Sequence, residues 1–248
     1  MNPTSLYILV NHGSSQANAL RGFDKLIEQV KEQLDTHELF LERATLEFSE
    51  FPLSQQIEQI VQRRSQYLLN RVNILPLFLS SGVHINHDIP SEISKAGIKL
   101  GKHITLELLP HLGSFPSISN LLGHLFCENS ANDSRRILMV HGSKFESANN
   151  DSVALAGQLQ SSLAFWSIEP SLENIVHQLV ANRATSISII PYFLFDGEIT
   201  IAVQQKVEKL ALYYQNVQFK LTPTLGKARE LSSLIAQAIK TNEQNLPK

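Results

Sequence analysis

An α/β fold of two similar lobes, each a parallel sheet flanked by helices, is predicted by three observations. One pattern occurs twice along the chain, strand-like runs alternate with helical ones, and the strand-like runs are apolar on both faces, as when helices cover both sides of a sheet. The repeat has two landmarks. "YILVNHGSS" ends an apolar run in His12-Gly13-Ser14, and "ILMVHGSKF" does the same with His141-Gly142-Ser143. "NILPLFLSSGVH" then matches "SIIPYFLFDGEI", pairing Pro76 with Pro191 and Gly82 with Gly197, both 115 positions apart. His12 and His141 are 129 positions apart, so the later copy has lost residues from its first helix or second strand.

Each half reads as four strand-helix pairs. "LYILV" is a first strand, and "RGFDKLIEQVKEQL" follows with helical periodicity. "RATLEFSE" ends the second strand, and "SEFPLSQQIEQIVQRR" enters an amphipathic helix through a proline turn, as does "SIEPSLENIVHQLVANR" in the other copy. "NILPLFL" is the third strand, after which Asp88 and Pro90 mark a helix start, an acid near the cap and proline in the first turn. Leu112-Gly113 answers Leu225-Gly226 before each last helix. The polar passage "CENSANDSRR", 127–136, is read as a linker, so the lobes are expected at 1–127 and 137–248. The last residues, "TNEQNLPK", are expected to fray.

Composition narrows the function classes. Lys and Arg number 21 against 23 Asp and Glu, a formal charge of -2, which disfavours a nucleic acid partner. One cysteine, Cys127, forms no internal disulfide and no cysteine metal site, which fits a reducing compartment, the cytoplasm. The first apolar run is too short for a signal-peptide core or a membrane span.

In parallel α/β sheets ligands sit beyond the carboxyl ends of the strands, and His12 and His84 both fall there. If the first and third strands are neighbours, the two imidazoles converge. With Glu47 they make an open, borderline donor set suited to a divalent transition metal. Gly13 lets the backbone turn closely, Ser14 leads toward a helix N-terminus able to hold an anion, and Ser80, Ser81 and Gly82 offer hydroxyls and amides to carboxylates. His87 is read as an entrance residue, while His103, His111, His124 and His177 are read as surface or interface residues. In the second copy the position of His84 holds Ile199 and that of Glu47 falls near Trp166, leaving His141. One equipped lobe implies one site, with the other lobe acting as a wall of its cleft.

"LVNHGSS", "LEFSEFPLSQQI" and "LPLFLSSGVHINHDIPSEI" resemble the class II tetrapyrrole metal chelatases, the sirohydrochlorin cobaltochelatases and ferrochelatases, in the long form with two fused copies. The resemblance spans nearly the whole chain. It implies that His12 and His84 bind metal and catalyse and that Glu47 assists; Gly13, Ser14, Ser80, Ser81, Gly82 and His141 are expected, from their chemistry and position, to contact substrate. It also implies a sirohydrochlorin-type tetrapyrrole as partner, no organic cofactor, and cobalt or ferrous iron as metal substrate, nickel being compatible too. It implies a product for siroheme or cobalamin biosynthesis; the fusion of two copies implies a monomer, and no membrane partner is expected. Two positions depart from the pattern: Ser15 stands where members often have a basic residue, and His87 where they often have Asp. Insertion strips water from the ion, bends the ring and removes two pyrrole protons. An imidazole, with an ordinary pKa of about 6.5, can replace water on the ion or take a proton.

Three other readings are weighed at this level, and one of them, a solely structural paralogue, is disfavoured because the first half keeps both histidines. A histidine phosphatase also ends a strand in His-Gly, but needs an arginine where this chain has Asn11. A metal- or tetrapyrrole-binding carrier would keep the cleft without turnover.

Overall fold

Strand β1 (Ser5–Asn11) is buried along its whole length and pairs in parallel with β2 (Leu39–Thr45) on one side and β3 (Arg71–Pro76) on the other. The computed structural model describes residues 5–34, 39–67, 69–129 and 133–245. Strand β4 (Thr105–Leu108) completes the first sheet in the order β2-β1-β3-β4, all parallel. Parallel neighbours need crossovers, and helices α1 (Ala17–Lys31), α2 (Leu53–Arg63) and α3 (Ile89–Leu100) supply them. Side chains alternate across a strand with a period of two. Leu6, Ile8, Val10, Val72 and Ile74 accordingly share one buried cluster with Ile57, Ile60 and Val61 of α2 and Ala96 of α3.

Helix α2 begins after Pro52 with no cap from its own sequence. Its cap comes from α3: Glu92 accepts from the Ser54 N–H at 2.9 Å and from Lys95 Nζ at 2.6 Å. Burial opposes the charge on Glu92, but these two donors outweigh it and hold the carboxyl below its ordinary range. A depressed value stabilises the fold above the unfolded carboxyl's pKa of about 4.3, and that contribution is lost as pH falls through the folded value. Glu92→Gln should therefore cost about 1 kcal/mol at neutral pH, with the gap closing in acid. Urea unfolding of both proteins at several pH values checks this.

The second copy repeats the plan. Strands β5 (Arg135–Val140), β6 (Ser162–Phe165), β7 (Ser186–Pro191) and β8 (Gln218–Leu221) form a parallel sheet in the order β6-β5-β7-β8. Its helices include α5 (Asn150–Gln158), α6 (Leu172–Ala181) and α7 (Glu198–Tyr213). The expected loss falls in both places named. Helix α5 has 9 residues against 15 in α1, and β6 has 4 against 7 in β2.

The compact units depart from the sequence halves at the last helix of each. One unit holds residues 1–115 and 232–248, the other 116–231. Helix α4 (Ser117–Asn129), expected with the first lobe, packs on β7, with Phe126 fully buried. Helix α8 (Arg229–Gln244), expected with the second, carries its C-terminal part to the first sheet. The reason is polar as well as apolar. The Tyr7 hydroxyl donates to Glu243 at 2.7 Å and accepts from Asn242 at 2.8 Å, and Ser5 donates to Glu243 at 3.0 Å. Tyr7 is fully buried in the sheet, and burial pushes its hydroxyl well above the ordinary range. Loss of the Glu243 and Asn242 side chains with the hydroxyl still covered would leave it buried with no partner, a cost on the order of 1–3 kcal/mol. Of the expected linker, residues 130–132 lie outside the described residues, as do 246–248 of the expected frayed end. No helix among the described residues is long and apolar enough to cross a membrane.

Candidate metal centre

Strands β1 and β3 are neighbours, with Val10 opposite Pro76, and the Leu77 N–H donates to the Val10 carbonyl at 2.7 Å. Segments carrying His12 and His84 therefore leave adjacent strand ends. Glu47 lies two residues beyond β2, where hydrogen bonding to the β1 segment continues: the Leu46 N–H donates to Asn11 O at 2.9 Å and the Glu47 N–H to His12 O at 2.8 Å. This approach explains Gly13. Its φ is +95°, and a Cβ there would stand 2.1 Å from the Glu47 carbonyl oxygen, so a larger residue would push the two loops apart.

His84 opens a single π-helical turn, His84–Asp88, closed by the Ile89 N–H bonding to the His84 carbonyl, and α3 follows directly with Pro90 in its first turn. A π turn inside a helical run frequently accompanies a functional site. Here it brings Asp88 to His84: Nδ1 lies 2.7 Å from Asp88 Oδ2. Asp88 was expected as a helix-start acid. It stands at the α3 N-cap position but makes no side-chain cap there, because its carboxylate is turned to His84.

The three predicted residues meet. Ligand atoms of His12, Glu47 and His84 all lie within 4.8 Å of one another. His12 Nε2 is 3.6 Å from Glu47 Oε2, and the two imidazole centroids are 5.0 Å apart at 71°. A carbonyl and an ionised carboxylate only accept hydrogen bonds, so His12 Nδ1–H donates to Gly13 O at 3.2 Å and His84 Nδ1–H to Asp88 at 2.7 Å. In the neutral imidazole these bonds select the tautomer whose lone pair is on Nε2. The side chains of His12, Glu47 and His84 are 45%, 48% and 36% exposed, open enough for an ion to arrive from solvent. Two nitrogens and an oxygen with open positions suit a borderline divalent ion.

Further residues, whose contacts do not show in the sequence, hold this geometry. Gln56 of α2 accepts from the Thr45 N–H at 3.0 Å and donates to the carbonyls of Thr45 and Phe51, both at 2.8 Å, closing the loop that carries Glu47. His111 corrects its surface reading: it is buried, and its Nδ1–H donates to the Phe78 carbonyl at 3.0 Å, which also accepts from the Gly113 N–H at 2.9 Å. Phe78 in turn lies 6.5 Å from the His12 ring and 6.0 Å from that of His84.

The remaining candidates are placed as follows. Ser14 accepts from the Gln16 N–H at 3.0 Å just before α1. Ser80 is exposed, and Ser81 and Gly82 are half-buried in the loop before the π turn, where Gly82 O accepts from the Asn86 N–H. His87 belongs to the π turn but not to the cluster. In the second copy His141 repeats the backbone of His12, with Gly142 at φ +80° and Nδ1 2.8 Å from Gly142 O. Its Glu47 counterpart is Ser167, next to Trp166 as expected, since the Ser167 N–H donates to His141 O at 2.9 Å. Among the described residues this copy gathers no comparable cluster.

Comparison with known proteins bears on the family and the fold. The CbiX family model matches residues 6–129 and again 135–242. A sirohydrochlorin ferrochelatase of Priestia megaterium is 25% identical over 94% of this chain and 89% of its own length, and a sirohydrochlorin cobaltochelatase of the same organism is 23% identical over 93% and 77%. The solved structure of Bacillus subtilis SirB with Fe3+ has the same fold, with a TM-score of 0.79 at 19% identity over 98% of each chain. Matched twice by one family model, the chain belongs to the CbiX family and carries two consecutive copies of its module.

Proposed function

We propose that the protein is a sirohydrochlorin metal chelatase, exchanging the two pyrrole protons of the tetrapyrrole for one divalent ion, Co2+ or Fe2+. The observation that carries this reading is the meeting of His12, Glu47 and His84, with both Nε2 lone pairs directed by hydrogen bonds at Nδ1. The relatives' names as ferrochelatase and cobaltochelatase support it.

The chemistry follows from the donors. His12 Nε2, His84 Nε2 and a Glu47 oxygen replace waters on the incoming ion and hold it at an exposed position. As the ion passes to the ring nitrogens, its three protein donors are released, and the freed carboxylate and imidazoles can accept the two departing protons. The ion's charge enters the ring as two protons leave, so charge balances and no covalent intermediate is needed. Gly13, Ser14, Ser80, Ser81 and Gly82 are candidates for holding the substrate's carboxylates through hydroxyls and amides. Imidazole and carboxylate accept cobalt, ferrous iron and nickel alike, so cellular supply is expected to decide the metal.

The test is anaerobic. Sirohydrochlorin with Co2+ or Fe2+ should change its absorption spectrum faster with protein than without, over many turnovers per chain. A rate equal to the protein-free control would defeat the proposal, and one-to-one binding without turnover would assign the chain to a carrier. Initial rates with the two ions in competition identify the preferred metal.

A further inference from the structure

The residue after Glu47 is not explained by metal binding. Phe48 has φ +55° and is 64% exposed, with its ring centroid 6.0 Å from that of His12. For a bulky L residue that backbone region is strained, because Cβ crowds the neighbouring carbonyl. Among the described residues the other non-glycine ones with positive φ are Gln160 and Arg183, which come just beyond the C-caps of α5 and α6, where a left-handed residue commonly closes a helix. Phe48 closes no helix. Its bend would suit glycine or asparagine, and its exposure would suit a polar side chain.

The loop is nevertheless fixed on both sides of this residue. The Glu47 N–H is bonded to His12 O, and Gln56 holds Thr45 and Phe51. A strained conformation persists where its surroundings over-determine it, and such residues cluster at ligand-contacting positions. Phe51, 38% exposed, lies in the same loop, and Val83, 58% exposed, directly precedes His84. Exposed apolar side chains thus flank the residues that gather the metal donors.

We propose that Phe48 is a substrate-positioning residue whose ring packs against the conjugated face of the tetrapyrrole beside His12, so that the ring nitrogens face the ion held by His12, Glu47 and His84. This rests on the chelatase reading and adds to it the contact that orients the macrocycle. A flat conjugated ring has the shape and quadrupole that an aromatic side chain meets well, by offset stacking or edge to face.

The experiment compares Phe48→Gly, Phe48→Asn and Phe48→Tyr with the wild type. Sirohydrochlorin is titrated without metal by its absorption and fluorescence, Co2+ is titrated without tetrapyrrole by its visible bands, and Tm is measured. Glycine and asparagine relieve the backbone, so their Tm should be unchanged or higher, while their Kd and KM for the tetrapyrrole rise about tenfold and Co2+ affinity stays at the wild-type value. Tyrosine should retain tetrapyrrole affinity. The proposal is overturned if Phe48→Gly and Phe48→Asn bind the tetrapyrrole within about twofold of wild type. It is also overturned if their Tm and Co2+ affinity fall together, which would make Phe48 a structural support for the loop. A wild-type protein that binds no sirohydrochlorin at all would instead overturn the chelatase reading on which the proposal rests.

Discussion

A His84→Ala protein is expected to fold normally and to lose chelation on the order of a hundredfold to ten-thousandfold. The change removes one of three donors and one of the possible proton acceptors. It also leaves the ion on His12 and Glu47, with one more water to shed. The fold has little stake in this ring. The His84 side chain is 36% exposed and belongs to no buried apolar cluster, so its loss should change stability by no more than about 0.5 kcal/mol. Asp88, 44% exposed, can return to water. Co2+ titrated without tetrapyrrole should bind more weakly to the variant in proportion to its lost rate. His12→Ala should behave similarly, and the double variant should lose little more than either single one, because residues acting as a unit are not additive. Full chelation rate in His84→Ala, at native Tm, would remove His84 from the mechanism and overturn the paired-histidine assignment.

The sequence was legible where information is local or repeated. The 115-residue offset between Pro76 and Pro191 aligns β3 with β7, and the alternation of apolar runs and amphipathic helices foretells a parallel sheet in each copy. From there, adjacency of β1 and β3 is a short inference, and it brings His12 and His84 together. Glu47 needed one more step. It is past the strand, and only its backbone bond to His12 O carries it to the site.

What stayed hidden is what depends on contacts across the chain. Gln56 reads as a polar position on an amphipathic helix, and nothing nearby in sequence says that its amide spans Thr45 and Phe51. His111 lacks partner spacing because its partner is a carbonyl 33 residues away, which leaves no trace in residue type. The placement of α4 and α8 is invisible for the same reason. Both are amphipathic helices after a Leu-Gly turn, and which sheet each covers is decided by partners such as Tyr7 and Glu243, 236 positions apart. Asp88 was legible only in part: it stands at the start of α3 as expected, but its side chain does not cap the helix. Followed by Ile89 and Pro90 it has the local pattern of a capping acid, and an acid four residues after a histidine was the available clue. The π turn, which periodicity does not foretell, turns that clue into a contact.

Asp88→Asn should lower Co2+ affinity and kcat/KM for the metal about 10- to 100-fold, with KM for the tetrapyrrole and Tm little changed. Asp88 accepts the Nδ1 proton of His84, which fixes the ring's orientation and, in the neutral ring, leaves the lone pair on Nε2 for the ion. An asparagine can accept that proton through its oxygen, but without charge, so the imidazole is a poorer donor. It can equally rotate and donate its NH2 to Nδ1, which moves the ring proton to Nε2 and removes the lone pair from the site. Either way the loss belongs to metal binding, because Asp88 makes no side-chain cap for α3 that the fold would miss. Asp88→Glu retains a charged acceptor and should recover part of the affinity, whereas Asp88→Ala should resemble Asp88→Asn. Nitrogen NMR of the labelled imidazoles reports the tautomer directly: His84 should shift toward a mixture in Asp88→Asn while His12, held by the Gly13 carbonyl, keeps its state. Wild-type Co2+ affinity in Asp88→Asn, combined with a clear fall in Tm, would show that the carboxylate serves the start of α3 and not the histidine beside it.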